Sequence, residues 1–323
     1  MPTAVVSGVY GALYSLLDEN QNTILAAAGG RLRLSGATRV DGKKSNPVVA
    51  GDQVEYEPGK DGQTSLITGI FPRQNSFIRA DQQRHHVMAA NLDLVLVFQS
   101  VAAPDFNPGF LDRALIEIEN SGIPAAIVIN KADFLETLDS DTREELNRRM
   151  AVYRSLGYPV FCESFSSKVS LPLQSLVATG RTLLMGQSGV GKSTFLNRMA
   201  GKELNETQEV NLALRGRHTT TNPRLFQINQ DMQLIDIPGV KEYGLGHLSQ
   251  VQLNTGFREF ADRNCKFDNC SHTHEPHCGV KLGVEENRIS EARYKSYLAI
   301  VESMSDQWKP RKGDFWRGVS KKK

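Results

Sequence analysis

Residues 186–194 read Gly-Gln-Ser-Gly-Val-Gly-Lys-Ser-Thr. Two glycines five positions apart, followed by lysine and serine, satisfy G-x-x-x-x-G-K-[ST]. An apolar run at 182–185 leads in, and a helix-like stretch at 194–201 leads out. A strand-to-helix turn of this composition wraps phosphate. Its glycines let backbone N–H groups point inward, and the helix N-terminus adds its positive end. The loop Gly186, Gln187, Ser188, Gly189, Val190, Gly191, Lys192, Ser193 and Thr194 is therefore a candidate cradle for a nucleotide's phosphates. Lys192 is placed to reach the β- and γ-phosphates and Ser193 to ligate Mg²⁺.

A second set of residues fits the same chemistry. Asp-Ile-Pro-Gly at 236–239 follows the apolar run at 232–235. Asp236 would hold the Mg²⁺ shell, and the Gly239 N–H would face the γ-phosphate. Between the two motifs lies LALRGRHTTTN, at 212–222. Either Thr219 or Thr220 can complete the Mg²⁺ shell, and Thr220 is preferred. Val240 follows the Asp-x-Pro-Gly motif, where many GTPases carry a water-orienting glutamine, and valine cannot orient water. His218 is the local candidate for that catalytic role beside Lys192; a surface or RNA-contacting histidine is the competing reading.

Asn-Lys-Ala-Asp at 130–133 follows the apolar run at 125–129. Asp133 would accept hydrogen bonds from guanine N1–H and the 2-amino group. Adenine lacks both donors, and an unmet carboxylate costs on the order of a few kcal/mol. Asn130 would contact the base edge and Lys131 would lie along the ring. A further base contact is expected at Glu163 and Ser164. GTP and GDP are thus the expected ligands. The base-reading motif precedes the phosphate loop, the reverse of an ordinary GTPase. Sheet neighbours need not be sequence neighbours, so joining two nearby ends and cutting elsewhere leaves such a site intact. The stretch LPLQSLVATG at 171–180 would be the new joint.

Cys265, Cys270, His272 and Cys278 form C-x4-C-x-H-x5-C. Three thiolates and an imidazole suit tetrahedral Zn²⁺, and a closed four-ligand site is structural. His274 and His277 are alternative ligands.

The remaining sequence must position these groups. Residues 1–80 contain short strand-like runs, RLRLSG among them, separated by Gly-rich turns, and suggest a small closed β-barrel. An OB-fold fits the length, and an SH3-like barrel fits the strands nearly as well. From 91 to 244, apolar strands alternate with helical stretches, which predicts a mostly parallel sheet covered on both faces. The run RLFQINQDMQLID reads as an antiparallel strand pair. From 245 to 323 the chain reads as helical, with VQLNTGFREFADR and ENRISEARYKSYLAIVESMSDQ as its helices.

The chain has 323 residues, 40% hydrophobic and 23% charged, with a net charge of +2, so it is no general polyanion binder. Residues 281–323 carry eleven Lys/Arg against six Asp/Glu, ending in Lys321, Lys322 and Lys323. No run suits a membrane span or a signal peptide, and the four cysteines do not resemble a disulfide framework. A cytoplasmic protein is expected. No heptad or long apolar stripe calls for a dimer, so a monomer is expected too.

The motif order NKAD, GQSGVGKST, GRHTTT, DIPG and the Cys/His cluster resembles the circularly permuted, small-subunit-dependent GTPases of the RsgA/YjeQ family. RQNSFIRA, AANLDLVLV and FLDRAL are similar to that family's interdomain and early GTPase segments. The resemblance implies a multidomain chain: an N-terminal OB-fold, a central α/β P-loop GTPase domain with circular permutation, and a C-terminal helical zinc-binding domain with a basic tail. It implies GTP hydrolysis stimulated by the small (30S) ribosomal subunit, late in that subunit's maturation, with the outer domains gripping 16S rRNA. Two other readings remain: a non-ribosomal GTPase switch in tRNA modification or metal delivery, and an RNA-binding protein with a purely regulatory nucleotide site.

Overall fold

The structure, a computed structural model, describes residues 1–30, 39–40, 43–44, 48–60, 63–81, 84–204, 222–239, 244–261 and 264–308. The stretch RLRLSG, the segment bearing His218, Thr219 and Thr220, Val240, and the basic tail lie outside the described residues.

Strands β1 (Thr3–Tyr10), β2 (Leu13–Leu17) and β3 (Thr23–Ala28) form an antiparallel meander. The short pair β4 (Arg39–Val40) and β5 (Lys43–Lys44) forms its own ladder. Then β6 (Gln53–Glu57) pairs with β7 (Ser65–Ile70) and closes on β1, with Ala4 opposite Val54. β3 and β7 run parallel. The ring order β1-β2-β3-β7-β6 is the five-stranded Greek-key closure of an OB-fold. Alternation along β6 turns Val54 and Tyr56 inward, onto Val6, Leu16, Ala26 and Ile67.

A hairpin of β8 (Ser76–Asp81) and β9 (Arg84–Ala90) leads to the second layer system. Its strands are β10 (Leu94–Ser100), β11 (Ala125–Asn130), β12 (Val160–Cys162), β13 (Gly180–Gly186), β14 (Arg224–Gln227) and β15 (Met232–Asp236). Their spatial order is β12-β11-β10-β13-β15-β14, all parallel except the β14–β15 pair. β10 is fully buried along its length, as an apolar run covered on both faces must be. The strand that ends in the base motif and the strand that ends in the phosphate loop both flank β10. Asn130 pairs with Ser100, Gly186 with Phe98, and Asp236 with Leu184. All three motifs therefore emerge at one edge of the sheet, the carboxyl edge where open α/β sheets bind ligands.

Among the described residues, four helices accompany these strands: α1 (Pro108–Ser121), α2 (Ser140–Ser155), α3 (Leu171–Leu176) and α4 (Lys192–Ala200). Asn107 caps α1 by accepting the Phe110 N–H, and Gly122 ends it in the left-handed region. The joint helix α3 is short, with Ser170 as its N-cap. The C-terminal part holds α5 (Gln250–Thr255), α6 (Gly279–Glu285) and α7 (Glu291–Trp308). The VQLNTGFREFADR stretch is not one helix. It breaks at Gly256, where a Cβ would sit 2.6 Å from Ile116 of α1, and resumes as a 3-10 turn at Arg258–Phe260. One continuous core joins α1, α5 and α7, through Leu111, Leu115, Leu253, Phe257, Tyr297 and Ile300 among others.

Candidate nucleotide site and metal centre

The phosphate loop leaves β13 at Gly186 and enters α4 at Lys192. Gly191 has φ 101°, and a Cβ there would lie 2.0 Å from Asn130 Nδ2. Only glycine allows the base motif and the phosphate loop to approach this closely. Asn130 uses the proximity. Its Nδ2 donates to Val190 O at 3.0 Å, and its Oδ1 accepts the Phe165 N–H at 3.0 Å. One buried side chain thus ties the phosphate loop to the loop after β12, with the swapped order of the chain intact.

Lys192 is buried, and its Nζ donates to Gly186 O at 2.9 Å and Gln187 O at 3.1 Å. Burial pushes its ammonium below the ordinary lysine value, and nearby Asp236 partly restores it. Burial pushes Asp236 up to about 6, with Lys192 opposing. Asp236 Oδ1 is buried and has no hydrogen-bond partner among the described residues. A buried oxygen left without a donor fits the water shell of a hard cation such as Mg²⁺. Gly239 packs against the loop so tightly that a Cβ would lie 2.7 Å from Ser188 N. Ser193 and Thr194 stand exposed at the start of α4.

At the base end, Ser164 Oγ donates to Asp133 Oδ1 and lies 2.7 Å from Ser166 Oγ. Glu163 turns away. Its carboxylate accepts the Ser170 N–H at 3.0 Å and the Ser170 hydroxyl, which fixes the start of joint helix α3. The residue facing Asn130 is Phe165, through its backbone, while its ring is buried against Phe98 and Phe195. Lys131 sits at φ 61° and its Nζ donates to Ala103 O. Arg198 of α4 donates to Phe165 O at 3.2 Å and Ser166 O at 2.8 Å. No motif marked Phe165, which acts through its backbone N–H, or Arg198, whose guanidinium bonds backbone carbonyls that any sequence provides.

The Cys/His cluster has all four ligand atoms within 4.8 Å of one another. His272 Nδ1 lies 3.6 Å from Cys265 Sγ and 3.4 Å from Cys278 Sγ, and those sulfurs are 4.0 Å apart. A zinc tetrahedron has edges of roughly 3.4–3.8 Å. His272, and not His274 or His277, is the histidine of the cluster. Burial pushes the Cys270 thiol up to about 12, so its thiolate persists there only with a cation beside it. The donor set and its spacing fit zinc.

The RsgA GTPase family model matches residues 70–246. A Histophilus somni (strain 2336) protein named small ribosomal subunit biogenesis GTPase RsgA is 36% identical over 267 residues, covering 80% of this chain and 75% of that one. A protein of the same name from Nitrosomonas europaea is 39% identical over 269 residues, covering 82% and 83%. The crystal structure of YjeQ from Thermotoga maritima superposes with a TM-score of 0.72 at 25% identity, over 94% of this chain and 98% of that one. YloQ, described as a circularly permuted GTPase, superposes with a TM-score of 0.69 at 27% identity, over 96% and 97%. The chain belongs to the RsgA GTPase family.

Proposed function

We propose that this chain hydrolyses GTP to GDP and phosphate on the small ribosomal subunit, and that it acts late in that subunit's maturation. The observation that supports a single guanine-nucleotide site is Asn130, which bonds the phosphate loop and the Phe165 backbone at once. The curated relatives are named for small-subunit biogenesis. The OB-type barrel and the zinc module would meet 16S rRNA. The protein would act as a cytoplasmic monomer; among the described residues no helix is long and apolar enough to cross a membrane.

In this reading the loop backbone from Gly186 to Thr194 and Lys192 cradle the phosphates. Asp133, held by Ser164, reads the guanine edge beside Asn130 and Lys131. Ser193, Thr220 and the Asp236 shell would hold Mg²⁺, which would supply positive charge to the phosphates. Positioning and charge neutralisation account for most of the catalysis of such a transfer. His218 would orient the attacking water, since Val240 cannot.

A site without its own glutamine at that position should turn over slowly alone. Single-turnover GTP hydrolysis, with and without isolated small subunits, tests the reading. Stimulation by small subunits, and not by large subunits or bulk RNA, is expected. Equal rates in all three would point to a non-ribosomal switch. His218→Ala should lose about 10²-fold or more of the stimulated rate; full retention would remove His218 from the mechanism.

A further inference from the structure

His272 stands at φ 58°, a left-handed conformation that is unfavourable for a non-glycine residue. Something must hold it there, because that turn directs Nδ1 at the sulfurs of Cys265 and Cys278. In such a turn the flanking backbone N–H groups converge on one side, forming a concavity that suits an anion. Glu275 fills it. Its Oε1 accepts the Ser271 N–H at 2.7 Å and its Oε2 accepts the Thr273 N–H at 3.2 Å. One carboxylate therefore spans His272 from both sides.

The opposite face of the same loop is held through its carbonyls. Tyr294 Oη donates to His272 O at 2.7 Å, Tyr297 Oη donates to Ser271 O, and Asn254 Nδ2 donates to Cys270 O at 3.1 Å. Those three bonds anchor the loop to α5 and α7. Glu275 grips the two N–H groups that bracket the histidine, while the Ser271 and Thr273 hydroxyls, 2.7 Å apart, close the same turn beside it.

We infer that Glu275 is a positioning residue for the metal centre: its carboxylate, clamped on the Ser271 and Thr273 N–H groups, orients the His272 imidazole toward the three thiolates. The inference rests on the zinc reading of the cluster. Glutamine at 275 offers one oxygen and one NH₂ group, so one of the two N–H groups would meet a donor. Alanine would release both. The partner of a metal ligand typically controls affinity by 10–100-fold.

The test is zinc affinity of the full chain by chelator competition, on wild type, Glu275→Gln, Glu275→Ala and Tyr294→Phe. Co²⁺ absorption on the same proteins reports the ligand geometry. GDP affinity serves as the check on folding, because Glu275 lies outside the nucleotide site. Glu275→Gln should bind zinc about tenfold more weakly, and Glu275→Ala up to about 100-fold, with altered Co²⁺ bands and unchanged GDP affinity. Tyr294→Phe should have a smaller effect, since the clamp stays. Wild-type zinc affinity and Co²⁺ spectra in both Glu275 variants would overturn the inference. So would a zinc loss that only tracks a parallel loss of GDP binding. A wild-type chain that holds no zinc would overturn the zinc reading itself, and this inference with it. Absent stimulation by small subunits would bear only on the proposed function.

Discussion

Asp236 carries the sharpest electrostatic conflict at the nucleotide site. Its ordinary value is 3.8, and burial raises it to about 6 in the folded, ligand-free chain. Between these values the folded chain binds a proton that the unfolded chain has released. Stability from this group is therefore greatest at and below pH 3.8, declines as pH rises, and is lowest above about 6. At neutral pH the buried carboxylate costs on the order of 3 kcal/mol. Asp236→Asn should thus raise the urea midpoint of the ligand-free protein at pH 7.5 and raise it by clearly less at pH 4.5. Mg²⁺-dependent nucleotide binding should strengthen as wild type is taken from pH 5 to 7 and should lose that dependence in the variant. An unchanged midpoint at pH 7.5 would mean that Asp236 is not held against its hydration. The candidate role of Asp236 was legible from Asp-Ile-Pro-Gly because the motif follows the phosphate loop and ends an apolar strand. The roles of Phe165 and Arg198 were not, because one acts through its backbone amide and the other bonds two carbonyls, and backbone partners leave no mark in the sequence.

Helix α1 is the element that binds the C-terminal part to the GTPase sheet. It carries Asp112, Glu117 and Glu119, and each meets a basic side chain from beyond residue 244. Arg293 bonds Asp112 and also Glu259, His247 Nε2 lies 2.9 Å from Glu117, and Arg258 lies 2.8 Å from Glu119. Arg293 is almost fully buried, stacked over Phe257 and Tyr153. Removing it leaves two carboxylates in a poor solvent. Arg293→Met should destabilise the fold by about 3–5 kcal/mol, read from urea unfolding. Adding Asp112→Leu and Glu259→Gln should recover much of that loss, because the stranded charges go with their partner. A loss below 1 kcal/mol in the single variant would show that water reaches the pair. The apolar runs that became β10, β11 and β13 could be read directly, since strands covered on both faces must be hydrophobic throughout. The break at Gly256 could not, because it answers to Ile116, a residue 140 positions away that only the fold brings near.

For the whole molecule, the swapped motif order follows from sheet geometry. β10 lies between the strand that ends in the base motif and the strand that ends in the phosphate loop, so either can come first in the chain. The barrel is welded to the far edge through β1, where Gly8 pairs with Arg224 of β14. Arg181 crosses to the barrel as well, donating to Gly51 O at 2.6 Å. These long-range joins had no local signature, whereas each motif carried its own. The account depends on residues 130–133 and 186–194 serving one nucleotide. A crystal structure with Mg²⁺ and a non-hydrolysable GTP analogue tests this most directly. The Asp133 carboxylate should lie about 3 Å from guanine N1 and the 2-amino group, while Lys192 Nζ contacts the phosphates of that same molecule. Phosphates held by Lys192 with the purine directed away from Asp133 would contradict it.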